Sequence, residues 1–118
     1  MTPAEEPLRI RRADGVVHVA FNDSYVLGDE KIDRISEILG GLIDEAAQPN
    51  LLIDFSGVKL ISSMMLGVLI TVNTRIRSKQ GQLRLANLAP RIRIMLLVTQ
   101  LDSLFSILPA SEADADEA

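Results

Sequence analysis

Apolar and polar residues alternate over Leu8–Arg12 (Leu8, Ile10) and again over Val16–Phe21 (Val17, Val19, Phe21), on either side of Asp14-Gly15. Period-two alternation flanking an Asp-Gly pair predicts a β-hairpin. After the polar loop Asn22-Asp23-Ser24 the period changes. Ile32, Ile35, Leu39, Leu42, Ile43 and Ala46 recur at helical spacing, with Asp29 as the expected N-cap and Pro49-Asn50 as the stop. Gly40-Gly41 inside that helix costs on the order of 1 kcal/mol per glycine relative to alanine, so the pair predicts either a bend or a close approach. Leu51–Phe55 is a short, nearly continuous apolar run of the kind that forms a central strand. A second helix follows from about Ser63 to Lys79 and ends at Gly81; Gln82–Ala86 alternates as a further strand. Pro90 is placed as the first residue of a helix carrying Ile92, Met95 and Leu96, and Leu104–Ile107 reads as a last strand or a short helix. The predicted order is ββαβαβα(β), without internal repeat.

The helix that begins at the serine pair has two faces to explain. Met65, Val68, Leu69, Val72 and Ile76 form one stripe, which belongs against the sheet. Gly67, Thr71, Thr74 and Ser78 form a strip of small residues on the opposite side, and beside it stand Met64, Leu66 and Ile70. Apolar side chains there predict either a second buried flank or a surface on which a partner docks.

Composition narrows the chemistry. With 118 residues the chain makes one domain, and with 47% apolar but only 3% aromatic residues its core is built from Ile, Leu and Val. The absence of Cys excludes disulfides, thiolate metal sites and a Cys nucleophile. His18 is the single histidine and falls on the strand face opposite Val17 and Val19, so a multi-histidine metal site or a Ser-His triad lacks material. There is no glycine-rich phosphate loop, and no base stands beside either serine in sequence; an enzyme is not expected, and no cofactor or metal. No apolar run approaches the roughly 20 residues of a membrane span, and the opening Met-Thr-Pro-Ala-Glu-Glu-Pro is acidic rather than signal-like, so a cytoplasmic protein is expected.

The net charge of −4 is unevenly placed. Glu112, Asp114, Asp116 and Glu117 lie in an Ala/Ser/acid stretch, and without them twelve acids face twelve bases. The expected organisation is a flexible leader at 1–7, one domain at 8–109 and a disordered acidic tail at 110–118. Between Asp54 and Asp102 there is no acid but seven bases: Lys59, Arg75, Arg77, Lys79, Arg84, Arg91 and Arg93. That half forms either a solvated basic face or one that steers a partner. Nucleic acid is not the expected partner, because no aromatic platform accompanies the charge.

Ser62 and Ser63 stand where the second helix opens. A helix start carries unpaired N–H groups and the positive end of the helix dipole, so a hydroxyl there serves as a cap or as a place where phosphate is electrostatically welcome. Phosphoserine adds roughly −1.5 to −2 charge at neutral pH. A partner packed over it would meet a hydrated dianion that is costly to bury.

Several blocks between Leu51 and Ile107 together resemble the STAS domain (sulfate transporter and anti-sigma factor antagonist). In its bacterial anti-anti-sigma members a strand ending in Asp leads through a short loop to Asp-Ser-Ser/Thr-Gly-Leu-Gly at a helix start. Leu52-Ile53-Asp54-Phe55-Ser56-Gly57-Val58 is similar to that strand and loop, and Leu66-Gly67-Val68-Leu69 to the helix. Gly81-Gln82-Leu83-Arg84-Leu85-Ala86-Asn87-Leu88 resembles the family's glycine-strand-asparagine segment, and Ala89–Arg93 and Thr99–Ile107 its last helix and closing segment. The N-terminal half agrees in pattern alone. Ser62 replaces the motif's Asp, Met64 its second Ser or Thr, and Met65 its Gly; Ile94 and Leu97 put apolar residues where the family usually has charge.

The resemblance implies a mixed four- to five-stranded sheet with an N-terminal antiparallel hairpin and three to four helices largely on one face. It implies an anti-sigma factor antagonist that sequesters an anti-sigma factor/serine kinase and so regulates sigma-dependent transcription. The kinase would phosphorylate Ser63, with Ser62 as second candidate, and a serine phosphatase would reset the switch. The contact residues it implies are Asp23, Ser24, Ser62, Ser63, Met64, Leu66, Gly67, Ile70, Thr71 and Thr74. The protein would be a monomer or a weak homodimer. Two alternatives are weighed beside this one. The first keeps the fold but loses the modification, as a STAS scaffold or a subunit of a larger regulatory complex. The second is a receiver domain with Asp54 as phospho-acceptor; it needs an acidic pair after the first strand, where Asp23 offers one acid.

Overall fold

Asp14 and Gly15 both take positive φ (55° and 78°), the pair of left-handed conformations that a type I′ turn requires. They join β1 (Leu8–Ala13) to β2 (Val16–Phe21) as an antiparallel hairpin, with Leu8 opposite Phe21 and Ile10 opposite Val19. The computed structural model describes residues 6–109. From the hairpin the chain runs through β3 (Tyr25–Val26), α1 (Asp29–Asp44), β4 (Asn50–Asp54), β5 (Leu60–Ile61), α2 (Ser63–Ser78), β6 (Gln82–Ala86), α3 (Pro90–Val98) and β7 (Ser106–Ile107).

The main sheet has five strands in the order β1-β2-β4-β6-β7, and every pair after the hairpin is parallel. Each crossover therefore steps the same way across the sheet. Right-handed crossovers that all step one way set their helices on one face. Val19, Leu51, Ile53, Leu83 and Leu85 point to that face and share a single core with Ile35 and Leu39 of α1, Met65, Leu69 and Ile76 of α2, and Ile92 and Leu96 of α3. Fully burying each such side chain contributes about 1.5–3 kcal/mol. The alternate residues of the same strands, Arg9 and Arg11 of β1, His18 of β2, Leu52 and Asp54 of β4 and Arg84 of β6, line a concavity on the face without helices.

The mixed sheet, the opening hairpin and the one-sided helices agree with the expected class. Four details differ. The N-cap of α1 is Gly28, not Asp29; Asp29 is the first helical residue, and its carboxylate sits in the positive first turn without capping a donor. β3 and β5, for which the pattern predicts no element, pair in parallel as a separate two-stranded ribbon, Tyr25 opposite Leu60 and Val26 opposite Ile61. Asn73 is buried in the inner stripe of α2, where its Nδ2 donates to the Leu104 carbonyl at 3.5 Å. Leu66, expected on the outer flank of α2, is only 7% exposed and belongs to the core.

Gly40-Gly41 does not interrupt α1. A Cβ at Gly40 would lie 3.0 Å from Nη1 of Arg75, whose guanidinium crosses this point of α1 to pair with Asp44, whereas Gly41 faces open space. The glycine answers a close approach. The basic half of the sequence is likewise not one basic face. Arg75 is bound to Asp44, Lys79 Nζ donates to the Ile43 carbonyl at 2.8 Å, and Arg84 lies on the helix-free side of the sheet. Ile94, Leu97 and Val98 are exposed on α3, with no described residue covering them. The expected tail at 110–118 and residues 1–5 of the expected leader lie outside the described residues; the carbonyls of Glu6 and Pro7 accept hydrogen bonds from Asn22.

Candidate functional site

The two serines at the start of α2 do different jobs. Ser62 is the N-cap, with extended backbone (φ −85°, ψ 167°), and its Oγ accepts the Met65 N–H at 3.2 Å. Its carbonyl accepts the Leu66 N–H at 3.1 Å, closing the first helical turn. Ser63 is the first helical residue, exposed, and its hydroxyl makes no hydrogen bond to any described residue. The N–H groups of Ser63 and Met64 are the remaining open donors of that helix start. No acid stands in the first turn of α2.

The β3–β5 ribbon holds this turn in place. The Ser24 carbonyl accepts the Lys59 N–H at 2.7 Å, and the Val26 carbonyl accepts the Ser62 N–H at 3.1 Å. Asp23 and Ser24 are thereby brought alongside the approach to α2, and Asp23 is itself steadied by Lys31 Nζ at 2.9 Å. Gly67, Thr71 and Thr74 are exposed along the helix behind Ser63, Ile70 is half-buried, and the Thr74 hydroxyl donates to the Ile70 carbonyl at 3.0 Å. Leu66 alone among the expected contact residues is turned away from this surface.

Exposed apolar groups border the open serine. Met64 is 37% exposed, Tyr25 56% and Leu27 44%. Tyr25 also lines a hollow of about 460 Å³ with Lys59, Leu60, Ala89, Pro90 and Arg91, so aromatic surface and two cations lie together at this end of the fold. Tyr25 and Leu27 were not among the expected contact residues. Their signal was the Tyr-Val-Leu run after a polar loop: a buried Val26 flanked by two exposed apolar residues.

Beneath the site, the loop after β4 is fixed by Asp54. Its Oδ1 accepts the Ser56 N–H at 2.9 Å, the Ser56 hydroxyl at 2.7 Å and Asn87 Nδ2 at 2.8 Å. Burial pushes its carboxyl upward, but the bonds from Asn87 and Ser56 and the charge of Arg9 outweigh that and hold it below the ordinary value of 3.8. Among the described residues no cluster of three or more His, Asp or Glu side chains is placed to hold a metal, and no helix is long and apolar enough to cross a membrane.

Residues 25–115 match the family model of the STAS domain. The chain belongs to the STAS family. The match begins at β3, so the antiparallel hairpin precedes it, and it contains both serines, Asp54 and Asn87. Solved structures extend the likeness over the hairpin as a likeness of fold. An anti-sigma-factor antagonist (STAS) domain protein from Planctomyces limnophilus superposes with a TM-score of 0.79 at 20% identity, covering 94% of this chain and 98% of its own. An anti-sigma factor antagonist from Mycobacterium paratuberculosis gives 0.76 at 20% identity, covering 98% and 96%. The Bacillus cell fate determinant SpoIIAA in its phosphorylated form gives 0.70 at 13% identity, covering 94% and 99%. Among curated protein sequences none matches the chain. Within this STAS domain the strand-end Asp54 and the helix-opening serine pair stand on one short connection.

Proposed function

We propose that the protein is a cytoplasmic anti-sigma factor antagonist whose docking surface centres on the start of α2 and whose switch is Ser63. The observation that carries this reading is the division of labour between the serines. Ser62 is committed to the cap, while the Ser63 hydroxyl is exposed and free of any described partner. A phosphate on Ser63 would meet two open N–H groups and the positive end of α2, so the domain would accept it without refolding. A partner seated on Met64, Tyr25 and Leu27 would instead have to bury a dianion beside apolar surface.

The partner is an anti-sigma factor that is also a serine kinase, and a serine phosphatase reverses the modification. In this scheme the protein is ligand and substrate rather than catalyst. The capping role of Ser62 makes it the weaker phosphosite, since a phosphate there would displace the Met65 N–H bond. Incubation with such a kinase and ATP should add one phosphate, mapped to Ser63 by fragmentation mass spectrometry. Ser63→Asp should lower affinity for the partner at least tenfold, and Ser63→Ala should bind constitutively. Binding without any phosphate transfer would leave the non-phosphorylated scaffold, and equal affinity of the two variants would remove the switch.

A further inference from the structure

α3 is apolar on both of its sides. Ile92 and Leu96 pack into the core, yet Ile94–Val98 is an unbroken apolar run. Ile94, Leu97 and Val98, at 58%, 63% and 75%, are the most exposed large apolar side chains among the described residues. A helix that is apolar all round is ordinarily covered all round. Residues three and four apart share a helix face, so Arg91, Ile94 and Val98 form one outward row and Arg93 and Leu97 a second beside it.

The charges at the two ends of this face are set against their own helix. Arg91 and Arg93 stand in the first turn of α3, where the positive end of the dipole disfavours a cation. Asp102, exposed, follows the last turn, near the negative end. Among the described residues none of the three lies within ion-pair distance of an opposite charge. What is unfavourable within one copy becomes favourable between two. A two-fold axis across the middle of α3 runs the helix antiparallel to its own copy, with the apolar rows facing each other. Positions 91 and 102 are equally far in sequence from the Leu96–Leu97 bond, so one axis brings each Arg91 beside the other copy's Asp102. Each arginine then also meets the negative end of the opposing helix. A uniformly acidic or uniformly basic partner would match one end of the face and be repelled at the other.

We propose that the outer face of α3 is the contact surface of a homodimer, two antiparallel copies of α3 joined through Ile94, Leu97 and Val98 and locked in register by two Arg91–Asp102 pairs. One face of a nine-residue helix is small against the roughly 20–30 residues a side of a standard interface. The dimer is therefore a reversible one, with a dissociation constant between micromolar and millimolar.

Sedimentation equilibrium of the full chain between about 20 µM and about 1 mM should show the mass climbing from 12.9 kDa towards twice that value. Arg91→Asp and Asp102→Arg should each weaken self-association at least tenfold, although each gives its own helix the charge that the dipole prefers and leaves the fold no less stable. Mixing the two variants should restore association, because one copy then carries acids at both positions and the other carries bases. Leu97→Glu should be monomeric throughout. A monomer mass for the parent at every concentration would overturn the proposal, whatever else covers α3. So would a mixture no more associated than its separate components, or a dimer that Leu97→Glu leaves intact.

Discussion

Asn87 donates its side-chain Nδ2 to the carboxylate of Asp54 at 2.8 Å, tying together the ends of β6 and β4, where Asp54 stands opposite Ala86 in the ladder. Asn87 occupies the left-handed region (φ 59°), which asparagine tolerates better than most residues. Loss of the hydrogen bond should cost about 1 kcal/mol in Asn87→Gly. Asn87→Ala should cost about 1 kcal/mol more, because its Cβ is strained there. Urea unfolding of the two variants separates the bond from the backbone term.

Asp54 carries a signed pH dependence. Its folded pKa is held below the value of 3.8 expected of a free side chain, so the unfolded chain binds the proton more tightly. The stabilisation is present in full above that value and is lost as pH falls through the lower folded pKa. Stability measured by urea unfolding between about pH 2 and pH 5 should therefore fall less steeply for Asp54→Asn than for the parent. Equal slopes would show that Asp54 adds no acid sensitivity of its own.

The serine pair should separate in stability as it does in geometry. Ser62→Ala removes the acceptor of the Met65 N–H and should cost about 1 kcal/mol. Ser63→Ala removes no described bond and should stay within about 0.5 kcal/mol of the parent. Reversed effects would mean that the cap belongs to Ser63.

Two glycines should respond oppositely to alanine. Nothing lies within 4 Å of a Cβ at Gly41, so Gly41→Ala should gain up to about 1 kcal/mol of helix propensity. A Cβ at Gly81 would stand 2.1 Å from the Pro49 carbonyl oxygen, and backbone cannot swing aside as a side chain does. Gly81→Ala should lose about 1–3 kcal/mol or more, with thermal unfolding as the readout.

At the proposed docking surface, Tyr25→Ala and Met64→Ala should each weaken the partner by about tenfold, since exposed aromatic and methionine groups at an interface centre carry disproportionate energy. Thr74→Ala, farther along α2, should change affinity by less than about threefold. Calorimetric titration with the anti-sigma factor provides the comparison.

Long periodic segments were legible in the sequence. The stripes of α1 and α2, the Asp-Gly hairpin and the apolar run of β4 follow from spacing alone, because each buries one face against a common core. The β3–β5 ribbon was not legible: two residues are too few to show a period, and the pairing joins segments 35 positions apart in sequence (Tyr25 opposite Leu60). The same shortfall hid Tyr25 and Leu27 from the candidate site. Leu66 was misplaced because a helix flank beside small residues reads as surface, whereas the core wraps further round α2 than the inner stripe suggests. Asn73 was missed because a buried amide is invisible in a hydrophobic pattern; only the carbonyl of Leu104, far along the chain, explains it.

The strap made by Ser24 and Val26, whose carbonyls hold Lys59 and Ser62, has a kinetic corollary. A surface already in its final shape gives up little freedom on encounter, so recognition by a visiting protein should be limited by orientation alone, at about 10⁵–10⁷ M⁻¹s⁻¹. Information written onto residue 63 would then be expressed in the lifetime of the pair, not in how fast it assembles.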